Sequence, residues 1–163
     1  MKGEEELNKS IEECEIECAL KKLENGKAAG EDGCINEILK YGGEKMKKSL
    51  LILFRKMWKE EKVPIEWARG IIVPIFKEGE KKNVDNYRGI TLLSVVGKLY
   101  TSILNSRITS WLEKKKKIVE EQGGFRAKRS TSEQIFYIER GNSESKKNEK
   151  ENLVLFFRYQ ESL

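Results

Sequence analysis

Apolar residues recur every three or four positions over two long stretches, which predicts amphipathic helices at residues 44–59 and 95–114. A shorter helix is predicted to open at Ser10, because Ser10-Ile11-Glu12-Glu13 fits a capping box, and another is predicted over residues 35–41. The longest apolar pattern consists of Val96, Leu99, Tyr100, Ile103, Leu104, Ile108, Trp111 and Leu112.

Two other segments are rich in β-branched and apolar residues and predict an antiparallel β-hairpin. The first strand covers residues 70–76, with an edge or bulge at Pro74, and the second covers residues 87–93. A polar connection separates them, and residues 153–157 form one further strand candidate. We therefore predict an α+β fold that is mostly helical, with one antiparallel β-hairpin.

Composition removes several classes of function. The 163-residue chain has no histidine, which excludes histidine-based acid–base catalysis, catalytic triads and the usual zinc sites. It has no apolar run of about 18 residues and no apolar signal-peptide core near its start, so we expect an intracellular chain, nuclear or cytoplasmic, without a membrane partner. Three cysteines without a CxxC pair are expected to be reduced, small apolar residues.

Charge is distributed unevenly along the chain. Residues 1–34 carry 5 basic and 10 acidic side chains (net −5), and residues 35–163 carry 27 and 17 (net +10), which sums to +5. A basic body suggests a polyanionic partner, with nucleic acid the first candidate. Lysine-rich faces that only keep helices solvated are an equally good explanation of the charge alone.

A glycine-rich loop at residues 25–33 has the composition of a phosphate-binding loop. Its glycines would let backbone amides approach a phosphate, and Lys27 adds a positive charge. The GxxxxGK[ST] order of a P-loop is absent. A plain connection between two helices is the alternative.

Two further segments combine cations with groups that suit nucleic acids. Lys77 follows the first strand and Arg88 lies in the second, so the two side chains can face one groove. The ammonium group of Lys77 would act as a point charge and the guanidinium of Arg88 as a bidentate fork, which suits a triphosphate or backbone phosphates. Residues 122–131 combine glycines, three cations, Phe125 for stacking and a predicted helix start. The alternatives are a solvated loop beside a salt-bridged Arg88, and a surface loop anchored by Phe125.

In their order along the chain, four segments resemble the N-terminal fingers part of the reverse transcriptases of non-LTR (LINE-type) retrotransposons. They read NGKAAGEDG, ARGIIVPIFKEG, NYRGITLLSVVGKLYTSIL and EQGGFRAKRST, within residues 12–140. The resemblance implies the fingers subdomain of a right-hand polymerase over residues 1–140. Residues 141–163 would then be a polar linker and the degenerate start of a palm strand.

The resemblance also implies roles for individual residues. Lys77 and Arg88 match the positions that hold the triphosphate of the incoming nucleotide. The implied partners are RNA or single-stranded DNA and, more weakly, a deoxynucleoside triphosphate. The positions implied to contact the template are Lys27, Gly30, Asp32, Gly33, Gln122, Phe125, Arg126, Arg129, Ser130 and Thr131.

The chain departs from this family at its last strand. Members of the family carry a catalytic aspartate there and a Tyr-x-Asp-Asp turn later, and these aspartates bind two Mg²⁺ ions. Here Arg158 and Tyr159 stand at the expected position, and Asp32 and Asp85 are the only aspartates. We therefore expect a chain truncated before the palm motifs, with no catalytic or metal-binding residue, no cofactor of its own and no polymerase activity alone.

Two other hypotheses remain beside the truncated polymerase. In the first, the chain is a non-catalytic module that binds RNA or single-stranded nucleic acid. In the second, loss of a palm uncovers the apolar stripe of Leu50, Phe54 and Trp58, and the chain self-associates through it.

Overall fold

The computed structural model describes residues 7–119 together with Gln122, Gly124, Arg126, Arg129, Ser130 and Ile135. The chain divides into two compact units, Met1–Trp111 and Leu112–Leu163. The strand candidate at 153–157 and the predicted division after residue 140 lie outside the described residues, so both stay predictions.

Four helices are described in full, and they agree with the apolar patterns. They are α1 (Glu13–Lys21), α2 (Asn36–Tyr41), α3 (Gly43–Glu60) and α4 (Val95–Lys114). The two long helices therefore lie where helical spacing predicted them. None of the helices in the described part of the chain is long and apolar enough to cross a membrane.

The start of α1 corrects the predicted capping box. The helix begins at Glu13, and the backbone amide of Glu12 donates to Oε2 of Glu15 at 2.9 Å. Ser10 lies ahead of the helix, where its carbonyl accepts a hydrogen bond from Nη2 of Arg107 at 3.0 Å. Ile11, which follows it, is completely buried. The side chain of Ile11 therefore enters the core while Arg107 binds the Ser10 carbonyl. Because both contacts hold Ser10 and Ile11 outside the helix, the helix begins at Glu13 and not at Ser10.

The core of the first unit lies between α1, α3 and α4. Its aromatic centre is Phe54, whose ring centroid lies 5.2 Å from that of Tyr100 and 6.4 Å from that of Trp67, the latter in an edge-on arrangement. Leu50 and Phe54 are buried, so the expectation that their stripe is uncovered was wrong. The core residues are Ile11, Ile16, Ala19, Leu20, Leu39, Leu50, Phe54, Met57, Val95, Leu99, Tyr100 and Ile103.

The predicted hairpin is confirmed in both strands. β1 (Gly70–Phe76) pairs antiparallel with β2 (Tyr87–Leu93), from Gly70 opposite Leu93 to Phe76 opposite Tyr87. Pro74 lies opposite Gly89 in an unbroken register, and a strand in a two-stranded sheet has a free edge that tolerates proline. Neither strand has a buried residue, so the hairpin is an exposed element of an α+β, mostly helical fold.

Candidate nucleic-acid interface

The hairpin brings Lys77 and Arg88 to the same face. Arg88 lies opposite Ile75, and strand pairing extends past the last pair because the amide of Lys77 donates to the carbonyl of Asn86 at 2.8 Å. Side chains two positions apart on a strand point to the same side of a sheet. Lys77 therefore shares a face with Ile75 and with Arg88, and both cations are exposed next to the connecting loop.

The connecting loop is held by its own polar groups. The side chain of Asn86 donates to the carbonyl of Glu80 at 2.9 Å, and the hydroxyl of Tyr87 donates to the carbonyl of Lys81 at 3.0 Å. Gly79 has φ +94° and lies so close to Asn86 that a Cβ would stand 2.6 Å from its Nδ2. Lys77 and Arg88 therefore flank a loop with a defined conformation.

The glycine-rich loop is docked on the junction of β2 and α4. A Cβ on Gly30 would lie 2.7 Å from the backbone of Leu93 and Ser94, so only glycine fits this approach. Oδ2 of Asp32 accepts a hydrogen bond from the Ser94 hydroxyl at 2.6 Å, and Oδ1 accepts from the amide of Cys34 at 3.1 Å. Gly30 and Asp32 thus fix the loop, and their contact with a template stays a prediction.

Lys27 and Gly33 lie on the solvent side of this loop. Lys27 is exposed and forms an ion pair with Glu24, with Nζ and Oε2 2.8 Å apart, and this carboxylate raises the pKa of the lysine. Gly33 has φ +64° with no heavy atom near its missing Cβ, so its glycine serves the backbone turn. Exposure leaves Lys27 able to exchange a weak ion pair for a phosphate.

Arg126 is engaged within the second unit. Its Nε and Nη2 lie 3.0 Å and 3.1 Å from the two carboxylate oxygens of Glu113, and Nη1 donates to the carbonyls of Val119 and Gln122. Its side chain is only 9% exposed. Arg126 therefore links the end of α4 to the loop that follows it, through bonds to Glu113 and to the carbonyls of Val119 and Gln122. Its contact with nucleic acid stays a prediction.

The other predicted contacts of this segment are placed only in part. Gln122 and Ser130 are exposed and Arg129 is half-buried. Phe125 and Thr131 lie outside the described residues.

Arg107 is a central polar residue that the sequence patterns did not single out. Its Nε and Nη2 each lie 2.6 Å from one carboxylate oxygen of Glu15, and its guanidinium carbon lies 5.4 Å from the ring centroid of Trp58. The guanidinium also donates to the carbonyls of Lys9 and Ser10, at 2.5 Å and 3.0 Å. This arrangement lowers the pKa of the Glu15 carboxyl, chiefly through the hydrogen bonds from Arg107. We call these contacts the Arg107 clamp.

Comparison with known proteins identifies the relatives of the chain. Over 129 residues, or 78% of the chain, it is 31% identical to the probable RNA-directed DNA polymerase from transposon X-element of Drosophila melanogaster. It is 29% identical to the probable RNA-directed DNA polymerase from transposon BS of the same species, over 74% of the chain. The chain is homologous to part of the RNA-directed DNA polymerases of non-LTR retrotransposons. The resemblance read from the sequence motifs is thereby confirmed.

Further comparisons define the extent of this similarity. The polymerase of mobile element jockey of Drosophila melanogaster is 28% identical over 76% of the chain. The chain spans 14% of the length of each of these three polymerases. No protein-family model matches the sequence.

The described residues do not fit the pair of Mg²⁺ ions expected of a complete polymerase. Among residues 7–119 and the six described beyond them, no three side chains of Asp, Glu, Cys or His form a group able to hold a metal. Both oxygens of Asp32 accept hydrogen bonds from within the fold, and Asp85 belongs to a short 3-10 turn, Val84–Asn86.

Proposed function

We propose that this chain is the nucleotide- and template-contacting finger region of a retrotransposon RNA-directed DNA polymerase and that it binds RNA or single-stranded DNA. The observation that carries the proposal is the shared, exposed face of Lys77 and Arg88 on the hairpin. The homology to polymerases supports it, because those relatives are named for synthesis on an RNA template.

The chemistry of this face suits phosphate. Among the residues paired in the hairpin, the face of Lys77 and Arg88 contains no carboxylate to compete for the cations. Lysine offers a compact point charge, and arginine offers a planar fork that matches two phosphate oxygens. The same face can hold a triphosphate or a backbone phosphate.

Binding is tested with a fluorescently labelled 20-nucleotide RNA and the Lys77→Gln/Arg88→Gln double variant. Log affinity falls as log salt concentration rises. If each cation meets one phosphate, this negative slope should become shallower by about 1.4 in the double variant, at roughly 0.7 per phosphate on a single strand. Lys21→Gln/Lys98→Gln removes the same charge at exposed helical positions and is the control. Equal binding by both double variants would overturn the assignment of the hairpin face.

We further propose that the chain does not polymerise DNA by itself. The aspartates of the family's palm motifs have no counterpart in its sequence, and phosphoryl transfer in this chemistry relies on the metal ions that those aspartates hold. Primer extension on an RNA template with Mg²⁺ should give no product. Extension by the purified chain that disappears on Arg88→Ala would contradict this proposal.

Self-association is a second candidate, and the exposed hairpin favours it. Ile72 is 68% exposed, and among the described residues no third strand pairs with the outer edge of either strand of the hairpin. A second copy could pair with one edge. Analytical ultracentrifugation over a hundredfold range of concentration should then show a dimer that Ile72→Lys weakens. A monomer at all concentrations would exclude this function.

A further inference from the structure

The exposed face of α3 carries a row of cations. At 3.6 residues per turn, Lys45, Lys48, Lys56 and Lys59 fall within an arc of about 80° on the side opposite the core. All four are exposed, and Ile52, which lies in the middle of the arc, is 70% exposed. We call these four lysines the lysine stripe.

The stripe is not neutralised by its neighbours. α3 contains six basic residues and two acidic ones, Glu44 and Glu60, a net charge of +4. Glu44 lies at the edge of the arc, where its Oε1 is 2.7 Å from Nζ of Lys47, and Lys47 also pairs with Glu17 at 2.8 Å. Among the described residues, no carboxylate lies within ion-pair distance of the four lysines of the stripe.

We propose that the lysine stripe binds the phosphate backbone of a nucleic acid, as a second contact surface in addition to the hairpin. The inference rests on the proposed function, because it assigns a further part of the surface to the same partner. The stripe extends over 14 residue steps, which is about 21 Å along a helix. One strand of nucleic acid carries a phosphate about every 3.4 Å of axis, so the stripe can follow about six phosphates.

The composition of this face favours a nucleic acid over a membrane surface. A helix that lies in a bilayer interface needs a broad apolar face to insert, and Ile52 is the one apolar side chain within the arc. The apolar side of α3 is already used, because Leu50, Phe54 and Met57 are buried in the core. Contacts with backbone phosphates carry no sequence information, so binding of the phosphate backbone through the stripe should be insensitive to base sequence.

The test measures the salt dependence of binding to a labelled 20-nucleotide RNA of mixed sequence. The variant replaces Lys45, Lys48, Lys56 and Lys59 by Gln. We expect its negative slope of log affinity against log salt concentration to be shallower than that of the original chain by about 2.8. The control replaces four exposed lysines elsewhere and loses the same net charge: Lys9, Lys21, Lys22 and Lys98. The slope of the control variant should change by less than about half of the change seen for the stripe variant. A variant with Arg at the four stripe positions should bind at least as well as the original chain.

Each outcome decides a different point. If the original chain binds RNA and the stripe and control variants behave alike, the stripe is not a binding surface and the inference is overturned, whereas the proposed function is decided separately by the double variant of the hairpin. If the original chain shows no affinity even at low salt, the proposed function itself fails. If the chain binds vesicles of phosphatidylserine and phosphatidylcholine through the stripe but does not bind RNA, the stripe serves a membrane and the inference is overturned. Circular dichroism melting of each variant confirms that these exposed substitutions leave the fold intact.

Discussion

Removal of the Arg107 clamp should destabilise the first unit strongly. Arg107→Ala abolishes two charge-assisted hydrogen bonds to Glu15 and the bonds to the carbonyls of Lys9 and Ser10. The side chains of Arg107 and Glu15 are only 12% and 24% exposed, so the glutamate would be left largely desolvated without a partner. Breaking such a pair typically costs about 3–5 kcal/mol, and partial exposure places this case at the lower end, about 3 kcal/mol.

Urea unfolding followed by tryptophan fluorescence measures this loss. Trp58, which stacks under the guanidinium, is a direct reporter of the clamp. Arg107→Lys should recover less than half of the loss, because an ammonium group cannot bind both carboxylate oxygens with the same fixed geometry. Arg88→Ala, at an exposed position on β2, is the control and should stay within about 0.5 kcal/mol. A loss below about 1 kcal/mol for Arg107→Ala would refute the reasoning.

Three other substitutions test the remaining contacts. Gly30→Ala should lower the unfolding free energy by about 2 kcal/mol in urea titrations, because a Cβ meets rigid backbone 2.7 Å away. Ser94→Ala should cost about 1–2 kcal/mol in the same assay, since it removes the hydroxyl that donates to Asp32. The pKa of Glu15 is lower in the folded chain than its ordinary value of 4.5. The ionised carboxylate therefore stabilises the fold at pH values above 4.5, and this stability is lost as the pH falls through the lower pKa of the folded state. Glu15→Gln should therefore flatten the acid limb of the stability profile measured by thermal melting.

The sequence predicts the elements with local patterns well. Periodicity of 3.6 places α3 and α4, and β-branched runs place both strands, because each signal lies within one element. The cap of α1 was misplaced because Ser10 and Glu12 both offer suitable side chains locally. The choice between them depends on Ile11 entering the core and on Arg107, 97 residues from Ser10. Such a contact leaves no local signal.

In the candidate site too, features with a local sequence signal could be predicted, and contacts between residues distant in the sequence could not. The resemblance implies that Gly30 and Asp32 contact the template, and the structure gives both a packing role against residues at the junction of β2 and α4, about sixty positions later in the chain. The strand pattern allowed Lys77 and Arg88 to face one groove, and the register that places Arg88 opposite Ile75 depends also on the conformation of the connecting loop. The bonds between Arg126 and Glu113 could not be foreseen, since several acidic residues nearby were equally available in the sequence.

The Arg107 clamp also has a consequence for synthesis of the chain on the ribosome. Nη1 of Arg107 donates to the carbonyl of Leu7, which lies one hundred positions earlier in the chain. Translation adds about 5–20 residues per second, so the first clamped residues wait about 5–20 s for their partner to be made. During that interval the core cluster of Ile11 and Ile16 lacks the four residues that α4 contributes to it, Val95, Leu99, Tyr100 and Ile103. The contacts that Arg107 makes with residues 7–15 are thus among the last of the first unit to form, because they cannot form before α4 has been synthesised.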